Sequence, residues 1–480
     1  MEQCSEKKYN LPEPTECIDE FKHKYRLVGE IARGGQGVVY RTQLPRIVVK
    51  LELDDNKQFV SANDDAKEKF RSLRLLPIPP NLNITLPVAV TEKYSGYAMQ
   101  LMDDMIPFSK AFSGAVDDVP LNNPWLNNIG EKNENLAQVF SKLIKRGGLR
   151  RIYRAYMKVA SLLARLHEAG LVYCDFSANN AFISSDIDFC NIWLIDADNL
   201  DYQKNTSRCR IWSDEVAAPE VIDENVGKGC TFFSDCHAFA ATFFKQLTGH
   251  NPFEGKLFYD KVKELDDRKA AEYLRDCGEF PWVFDYNNTT NIWPIGKVFR
   301  NFISPTVLDL FEDTFSAEIG LFKPQNRPLM AEWACTIAQS FDEIVRCPNC
   351  MMERFGSATT CPWCDHVHPL IEVTAYYKTG KVMWRFAHEA KVGESIIVPL
   401  RIFSGFHANE IDSEALIVKW TGHGLDVHKA KDDLSVEFAD DKRERTGGSG
   451  FVTDEDALSI FCIDDKMLAQ KIEVKLKNDT

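Results

Sequence analysis

The N-terminal part of the chain alternates apolar and polar positions in a way that is typical of short β-strands. Between Tyr25 and Val49 a cluster of glycines interrupts this alternation, so the pattern predicts a strand, a glycine turn and a second strand. The segment LPVAVTEKYSGYAMQLM repeats the pattern with Ser95 and Gly96 at its centre, which predicts a β-hairpin. Both patterns together predict a small sheet.

Helical spacing follows these strands. Apolar residues recur at helical intervals within 64–76, behind an Asp-rich start. The segment LRRIYRAYMKVASLLARLHEAG predicts a long amphipathic helix with Gly170 as its C-cap, and residues 230–345 are mostly helical in pattern. Residues 117–135 are rich in Asn and Pro, and they predict a loop or insertion.

The last part of the chain returns to strand patterns. Short apolar runs such as SIIVPLRIF and ALSIFCI, separated by turn-forming residues, predict an all-β sandwich of roughly 100 residues, with 440–450 as a flexible loop within it. A change of composition near residue 347 separates this region from the helices. We therefore predict an N-terminal leader (1–20), a mixed α+β domain (21–345), a short cysteine-rich segment (346–368) and a β-sandwich-like domain (369–480).

The composition is that of a globular chain. Apolar residues make up 44% and charged residues 27% of the 480 residues, a length that favours two or three domains. The formal net charge of −14 disfavours binding to nucleic acid or to an anionic membrane, because both need clustered Lys and Arg. We see neither a signal-peptide pattern nor a run as long as a membrane helix, so we expect a cytoplasmic protein.

Four of the 14 cysteines form a pattern of their own. Cys347, Cys350, Cys361 and Cys364 make two CxxC pairs with ten residues between them. Two such pairs on a hairpin supply four thiolate ligands to a tetrahedral Zn²⁺ ion and leave no position open for chemistry. We predict a structural zinc ribbon, with disulfides or free thiols as the alternatives. Whether the ribbon binds a partner or only joins its neighbouring domains stays open.

The glycine turn carries a candidate nucleotide-binding motif. Ala32, Gly34 and Gly37 fit G-x-G-x-x-G-x-V with Ala in place of the first glycine, and Val39 completes the motif. Thirteen residues after Gly37, Lys50 ends an apolar strand, where a lysine can reach the α- and β-phosphates of a nucleotide. An ordinary hairpin and a solvated lysine are the alternatives.

With the motifs that follow, the chain resembles the protein-kinase family, in particular bacterial relatives of the eukaryotic Ser/Thr kinases, over about residues 25–340. The stretch LVYCDFSANNAF resembles the catalytic loop, with Asp175 and Asn180 in the positions of its Asp and Asn. The stretch WLIDADNL has Asp196 where the family has the Asp of D-F-G. The resemblance implies a bilobal kinase fold for the domain over 21–345.

The resemblance also implies two ion pairs. Glu68 on the first predicted helix corresponds to the glutamate that holds the strand lysine, Lys50, and a solvated helix glutamate is the alternative. The A-P-E motif ends at Glu220, which is expected to pair with Arg327 and stabilise the large lobe. Asp235 resembles the structural Asp of the long helix that follows.

The segment YAMQLM resembles the last strand of a kinase small lobe as it enters the hinge. Met99 then occupies the gatekeeper position. The backbone groups of Gln100, Leu101 and Met102 would meet the adenine edge, which implies ATP as the nucleotide.

The chemistry implied by the resemblance is positioning and charge stabilisation. Lys50 would neutralise phosphate charge, and Asn180 and Asp196 would hold Mg²⁺ through hard oxygen ligands. Asp175 would orient the acceptor hydroxyl and accept its proton.

The chain departs from the family at several of these positions. Tyr173 and Cys174 replace His and Arg, which predicts regulation without an activation-loop phosphate. Ser177 replaces the lysine that contacts the γ-phosphate, and the loss of such a charge can cost orders of magnitude in rate. Ala197 and Asp198 replace Phe and Gly of D-F-G, so Asp198 is either a further metal ligand or an anion that opposes phosphate binding.

These observations favour an ATP-dependent protein kinase, Ser/Thr rather than Tyr, whose zinc ribbon and β domain recruit substrates or signalling partners. The chain is similar to bacterial kinases that carry zinc ribbons. The genes of those kinases lie beside genes for phosphatases and von Willebrand-type domains in stress-response clusters, which implies a signalling role by analogy. The alternatives are a pseudokinase scaffold, which the departures favour, and phosphotransfer to a small molecule, which the A-P-E motif disfavours.

Overall fold

A computed structural model describes residues 11–113, 123–206, 210–226, 229–356, 358–439, 445–446, 449–464 and 467–478. Over these residues the protein is a mixed α+β structure with several antiparallel sheets, which confirms the predicted class. The bilobal kinase arrangement stays a prediction.

The described strands are β1 (Glu16–Ile18), β2 (Lys24–Arg33), β3 (Gly37–Thr42), β4 (Ile47–Glu52), β5 (Ala89–Val90), β6 (Gly96–Gln100), β7 (Met105–Pro107), β8 (Leu171–Val172), β9 (Ala181–Ser184), β10 (Ile192–Leu194), β11 (Asp201–Tyr202), β12 (Ile344–Arg346), β13 (Glu353–Phe355), β14 (Leu370–Tyr376), β15 (Val382–Glu389), β16 (Ser395–Pro399), β17 (Glu414–Trp420), β18 (Gly424–Lys429), β19 (Val436–Ala439), β20 (Arg445–Thr446), β21 (Ser449–Thr453), β22 (Ala457–Cys462) and β23 (Lys471–Lys477).

The described α-helices are α1 (Asp64–Leu73), α2 (Phe108–Ser113), α3 (Pro124–Lys132), α4 (Glu134–Lys145), α5 (Gly148–Glu168), α6 (Gln203–Thr206), α7 (Pro219–Ile222), α8 (Phe232–Thr248), α9 (Lys256–Leu265), α10 (Arg268–Asp276), α11 (Gly296–Phe299), α12 (Pro305–Phe315), α13 (Met330–Asp342) and α14 (Arg401–Ser404). Short 3-10 helices cover Ala197–Asn199, Thr289–Asn291, Arg300–Phe302 and Pro324–Asn326. Within this described part of the chain, we find no helix with the length and apolar character needed to cross a membrane.

The chain forms two compact units. The first comprises Met1–Phe108, Arg165–Ser213 and Glu220–Asp235, and the second comprises Ser109–Ala164, Asp214–Pro219 and Cys236–Thr480. The candidate catalytic residues belong to the first unit, and the four paired cysteines belong to the second.

The main sheet of the first unit has the strand order β1-β2-β3-β4-β6-β5, with antiparallel neighbours. The predicted strands and the predicted hairpin are thereby confirmed. Because successive side chains of a strand point to opposite faces, Val49 and Ala98 share an apolar, buried face. Val39, Lys50 and Tyr97 lie opposite one another on the other face.

Helix α1 packs on the face of the sheet that carries Tyr97. The side chain of Asn63 accepts a hydrogen bond from the backbone N–H of Ala66 and caps the helix. Phe70 and Leu73 are buried, and the ring of Phe70 lies 4.9 Å from that of Tyr97. The helical prediction for this segment is confirmed, although the helix ends at Leu73.

Two groups of short strands support the catalytic-loop segment. Strand β8 pairs with β11, and β9 pairs with β10 on one side and with β7 on the other. The segment 173–180 therefore leaves β8 and enters β9, while Asp196 follows β10 directly. Both predicted catalytic segments are held by paired strands on each side.

The helices of the second unit share an aromatic core. The ring of Tyr156 on α5 stacks on that of Phe243 on α8, with 4.4 Å between ring centroids. Phe311 on α12 and Trp333 on α13 lie 5.2 Å apart in the same region. The prediction of helices over 230–345 is confirmed for its described residues.

The C-terminal part of the second unit contains two antiparallel sheets. One has the order β15-β14-β23-β22-β19-β20, and the other has the order β16-β17-β18-β21. Strand β23 alternates buried and half-buried residues along its whole length, as the sequence pattern predicts. The β-rich character of residues 370–480 is thus confirmed for the described residues, and the sandwich arrangement stays a prediction.

Three local predictions need correction. The loop predicted over 117–135 is wrong where it overlaps α3 and α4, because Asn123 caps α3 and Pro124 takes its first position. The predicted leader over 1–20 includes β1, which pairs with β2. The loop predicted over 440–450 is wrong where it overlaps β20 and the start of β21. Residues 1–10, 117–122, 440–444 and 447–448, which belong to the predicted leader, insertion and flexible loop, lie outside the described residues.

Candidate functional site

The glycine turn between β2 and β3 is closed by backbone contacts. The N–H of Gly34 donates to the carbonyl of Gly37 over 2.8 Å. A side chain at Gly37 would meet the carbonyl oxygen of Leu51 at 2.9 Å, so only glycine permits this approach of the two strands. Val39 is half-buried and lies directly opposite Lys50. Ala32 on β2 pairs with Val39 on β3. The residues of the predicted glycine motif are therefore close together on these two strands and the turn between them.

Lys50 forms ion pairs with two aspartates. Its Nζ lies 2.5 Å from Oδ1 of Asp196 and 2.6 Å from Oδ2 of Asp198. Burial opposes the charge on the ammonium, but the carboxylates of Asp198 and Asp196 outweigh burial and raise the pKa of Lys50. Lys50 is therefore a buried, charged lysine that faces the acids after β10.

Tyr97 is a member of this cluster that the sequence did not single out. It is the cross-strand neighbour of Lys50 on β6, and its hydroxyl donates to Oδ1 of Asp198. Burial raises the pKa of Tyr97 far above its ordinary value, and the charges of Asp198 and Asp196 add to that effect. The raised pKa favours the protonated phenol, which is the form that donates this hydrogen bond.

The predicted pair between Glu68 and Lys50 is not formed. Among the described residues, the ion pairs of Lys50 are those with Asp196 and Asp198, while Glu68 is exposed on α1. The reason is helix phase, because α1 buries Phe70 and a residue two positions away points to the opposite side at about 100° per residue.

Asp196 sits in a strained turn after β10. Its backbone has φ 58°, in the left-handed region that non-glycine residues rarely adopt. The N–H of Ile195 donates to the carbonyl of Asn180 over 2.9 Å, which ties this turn to the catalytic-loop segment. This bond ties the residue before Asp196 to Asn180, and the binding of one metal ion by both side chains stays a prediction.

Asn180 and Asp175 are joined directly. The side-chain Nδ2 of Asn180 donates to the carbonyl oxygen of Asp175 over 2.8 Å and to its Oδ2 over 3.3 Å. This use of the amide nitrogen leaves the side-chain oxygen of Asn180 for a ligand. That oxygen and the carboxylate of Asp196, which is 34% exposed, are the hard donors that Mg²⁺ prefers.

Ser213 is a second contact of the site that sequence reasoning missed. Its hydroxyl donates to Oδ1 of Asp175 over 2.7 Å. Burial raises the pKa of Asp175, the hydrogen bond from Ser213 lowers it, and the negative charge of Asp196 raises it again. The raised pKa makes Asp175 a stronger base than an exposed aspartate. A single serine in a polar segment carries no sequence signal for this role.

The backbone of the catalytic-loop segment is fixed by Asp235 on α8. Its carboxylate accepts hydrogen bonds from the N–H groups of Tyr173, over 2.8 Å, and of Cys174, over 2.9 Å. The ring nitrogen Nε2 of His167 lies 3.0 Å from Oδ2 of the same carboxylate. The hydroxyl of Tyr173 donates to the carbonyl of Ile195. Tyr173 thereby links the loop to the turn that carries Asp196.

Ser177 stands in the position of the family's lysine, and among the described residues no cation forms a hydrogen bond with its hydroxyl. Its hydroxyl is buried and has no hydrogen-bond partner among the described residues. Lys204 lies over the ring of Tyr202, and Arg210 donates to the carbonyl of Val221 over 2.8 Å. Among the described residues, Lys50 is the cation that forms ion pairs with Asp196 and Asp198.

The predicted hinge follows β6. Met99 is buried opposite Val48, and Gln100 ends the strand. The N–H of Leu101 donates to the carbonyl of Arg46 over 2.8 Å, so this donor is already used within the protein. Met102 lies outside the strand and is half-buried.

Glu220 lies on α7 in the first unit, and Arg327 lies in the second. Both side chains are buried. Arg327 donates to the carbonyls of Gly320 and Leu321 over 2.9 and 2.8 Å. The predicted ion pair between Glu220 and Arg327 stays a prediction.

The four paired cysteines form a candidate metal centre. Their sulfur atoms all lie within 4.8 Å of one another, with 3.7 Å between Cys347 and Cys364 and 3.7 Å between Cys350 and Cys361. Sulfurs at about 2.3 Å from a tetrahedral zinc ion are about 3.8 Å apart, whereas a disulfide needs about 2.05 Å. The cluster therefore has the spacing of four ligands of one structural metal ion such as zinc.

The two halves of this centre repeat the same backbone turn. The N–H of Met351 donates to the carbonyl of Cys347 over 3.0 Å, and that of Asp365 donates to the carbonyl of Cys361 over 2.9 Å. Met351 and Asp365 have φ 65° and 54°, so both turns close through a left-handed residue. Each turn carries two thiols, and the two turns direct all four thiols toward one point, as the CxxC spacing predicts.

The metal centre is embedded in the second unit. The ring of Trp363 lies 5.3 Å from that of Phe140, and the indole N–H of Trp125 donates to the carbonyl of Trp363 over 2.6 Å. The amide of Asn123 donates to the carbonyl of Cys350 over 2.9 Å. Both cysteine pairs thus contact α3 or the residue that caps it, and the second pair also contacts α4, which is what a structural role requires.

Comparisons with protein families and with curated proteins give no match for this chain. No family model matches the chain, and no curated protein gives a significant match. The kinase motifs therefore stay a resemblance, and the function has to be argued from the residues that the site brings together.

Proposed function

We propose that the protein is an ATP-dependent protein kinase that uses Mg²⁺ and transfers phosphate to a Ser or Thr hydroxyl. The observation that carries this proposal is the joining of Lys50, Asp196, Asn180 and Asp175 into one connected group. Lys50 lies far from the other three in the sequence, yet the four residues are connected by direct contacts or through backbone atoms. Their chemical types are those that phosphoryl transfer needs for charge neutralisation, metal binding and proton transfer.

Each residue has a defined task in this proposal. Lys50 binds oxygens of the phosphate chain and neutralises part of their charge. Asn180 and Asp196 hold the metal ion, which supplies electrostatic stabilisation of the transferring group when it is bound. Asp175 orients the acceptor hydroxyl and accepts its proton at a carboxylate oxygen, and its raised pKa assists that step.

The rest of the proposal extends over the whole chain. We include a bilobal kinase fold, a zinc ribbon at the four cysteines and a C-terminal β region that recruits substrates or signalling partners. A cytoplasmic signalling role, in which neither a membrane nor nucleic acid takes part, agrees with the net charge of −14. The zinc ion fits the four thiols, because their spacing is that of tetrahedral coordination.

The test uses the purified full-length chain with Mg²⁺ and labelled ATP, and it follows label in the protein and in a generic acceptor protein. Asp175→Asn and Asp196→Asn are expected to lower the rate by about 10²-fold or more. Asp201→Asn is a matched control, because the carboxylate of Asp201 accepts hydrogen bonds from the side chain of Asn205 and has no task in this proposal. Equal rates for wild type and the two site variants would overturn the proposal.

A pseudokinase is the second candidate, and a specific observation favours it. The buried hydroxyl of Ser177 brings no positive charge to the position of the family's lysine. In that case the protein binds nucleotide without transferring phosphate. Mg-ATP would then raise the unfolding temperature of wild type, since it binds the folded state, while no label would be transferred.

A further inference from the structure

Lys50 has two carboxylate partners that differ in their freedom to move. The side chain of Asp196 is 34% exposed, and its bond to Lys50 is its only side-chain hydrogen bond among the described residues. The side chain of Asp198 is 11% exposed, and its second oxygen accepts the hydroxyl of Tyr97. Asp198 is therefore the fixed partner of Lys50, and Asp196 is the partner that can turn away.

Metal binding makes this difference important. A carboxylate that binds a divalent cation gives up much of its negative charge to that ion, so Asp196 cannot also neutralise Lys50 fully. A buried ammonium without an anionic partner is strongly destabilised. Glu68 cannot take over, because it is exposed on the outer side of α1.

We propose that Asp198, fixed by the hydroxyl of Tyr97, is the positioning residue that holds Lys50 for the phosphates of the nucleotide, in place of Glu68. The inference rests on the proposed nucleotide binding, whereas the pair of Lys50 and Asp198 does not depend on it. Asp198 stands where the family has the glycine of D-F-G. The substitution therefore supplies the lysine anchor that the helix lacks.

Two other roles for Asp198 lead to different results. An anion that only opposes phosphate would weaken nucleotide binding, so Asp198→Asn would tighten it. A second metal ligand would matter for Mg-ATP alone and leave metal-free ATP unaffected. A residue that positions Lys50 supports the binding of both forms.

The first experiment measures the pair of Lys50 and Asp198 without any nucleotide. The rate at which an N-hydroxysuccinimide ester of acetic acid modifies Lys50 is followed by peptide mass spectrometry in the full-length protein. Because the carboxylate of Asp198 holds the amine of Lys50 at 2.6 Å, loss of that carboxylate is expected to free the amine for the reagent and to speed the reaction about tenfold in Asp198→Asn. Tyr97→Phe keeps the buried ring and is expected to give a smaller increase.

Matched controls carry the same chemical changes elsewhere. Asp201→Asn alters an aspartate three positions away, and Glu68→Gln removes the acid that the kinase resemblance implies as the anchor. Both are expected to leave the acetylation rate of Lys50 at the wild-type value. Faster acetylation in Glu68→Gln with no change in Asp198→Asn would overturn the inference.

The second experiment measures ATP affinity by calorimetric titration, with Mg²⁺ and with a chelator. Asp198→Asn is expected to bind both forms about tenfold more weakly, as the loss of a charged hydrogen-bond partner predicts. In a Lys50→Met background the same substitution is expected to cost nothing further, because Asp198 acts through Lys50. Tighter binding, or a loss confined to Mg-ATP, would contradict the positioning role.

The two experiments separate the inference from the proposed function. If wild type binds no ATP, the proposed function is overturned, and the acetylation rates alone decide whether Asp198 holds Lys50. If wild type binds ATP and Asp198→Asn changes neither affinity nor acetylation, the inference is overturned and the proposed function stands. A measurement of the unfolding temperature shows whether Asp198→Asn is folded. If it is not, Tyr97→Phe is used in its place to test whether Asp198 holds Lys50.

Discussion

The ionisation of Asp175 depends on its immediate neighbours. Burial raises the pKa of its carboxyl above the ordinary value of 3.8, the hydroxyl of Ser213 lowers it, and the carboxylate of Asp196 raises it. A general base acts only in its deprotonated form. Activity is therefore expected to fall on acidification at a higher pH than an exposed aspartate would give.

We expect Ser213→Ala to move the acid limb of the kinase pH profile to higher pH. The Ser213 hydroxyl donates to the charged form of Asp175, so its removal disfavours that form and raises the pKa further. The measurement is kcat/KM against pH. Ser72→Ala, which removes an exposed hydroxyl on α1, is the control. An acid limb that stays in place or moves to lower pH would contradict this account.

Single residues also show what sequence reasoning can reach. Lys50, Asp175 and Asn180 are singled out by the resemblance to the kinase family, because the motifs that carry it are short segments whose residues are close together in the sequence. Glu68 was assigned wrongly as the anchor of Lys50, since its side of α1 depends on which apolar residues the helix buries. Tyr97 was missed because its place beside Lys50 depends on the register of two strands that are distant in sequence.

Among the helices, α5 shows how a distant element completes a helix end. The carboxylate of Glu353, from the strand between the two cysteine pairs, accepts a hydrogen bond from the N–H of Arg150 over 2.9 Å. That N–H belongs to the first turn of α5, where backbone donors lack intrahelical partners. Burial raises the pKa of Glu353, and this hydrogen bond opposes the rise. The cysteine-rich segment thereby caps the helix from outside.

Gly148→Ala is expected to destabilise the protein by about 1–2 kcal/mol or more. Gly148 begins α5 with φ 72°, and a side chain there would collide with the carboxylate of Glu353. Gly130→Ala in α3 is the control, because its added carbon would meet the nearest atom at 3.8 Å, and it is expected to stabilise by about 0.5–1 kcal/mol. Urea unfolding measures both. Equal effects would show that Gly148 is not constrained by its surroundings.

We expect the wild-type chain to carry about one zinc ion and Cys361→Ser to carry much less, because three thiols do not close the tetrahedron. Elemental analysis measures the metal, and near-ultraviolet circular dichroism reports the packing of Trp363 against Trp125 and Phe140. Chelation is expected to weaken that signal. Cys462→Ser is the control, since burial raises the pKa of Cys462 to about 12 and keeps it a neutral thiol. If Cys361→Ser carried as much zinc as wild type, the assignment of zinc to these four cysteines would be wrong.

At the scale of the whole molecule, the helices and the C-terminal sheets of the second unit are joined by buried charge. Asp342 ends α13, and its carboxylate binds Arg401 on α14 over 2.5 and 2.7 Å. The indole N–H of Trp384 on β15 donates to the same carboxylate over 2.8 Å. The composition change near residue 347 predicts separate domains on either side. It does not reveal this contact, because the partners lie 42 and 59 residues apart.

The buried pair of Asp342 and Arg401 is expected to be costly to break. Asp342 is 1% exposed and Arg401 is 7% exposed at their side chains. Asp342→Ala leaves the guanidinium buried without its anion, and the expected loss of stability is about 3–5 kcal/mol. Asp412→Ala also removes a carboxylate that binds two cations, Arg154 and Lys158, but that carboxylate is 54% exposed.

The control is therefore expected to cost no more than about 1 kcal/mol, because water and salt screen its charges. Urea unfolding of the two variants, followed by tryptophan fluorescence, gives the comparison. Asp342→Ala paired with Arg401→Met is expected to recover part of the loss, since no unpaired charge then remains buried. Equal stability of Asp342→Ala and Asp412→Ala would mean that the helical and β-sheet parts of the second unit do not depend on this contact.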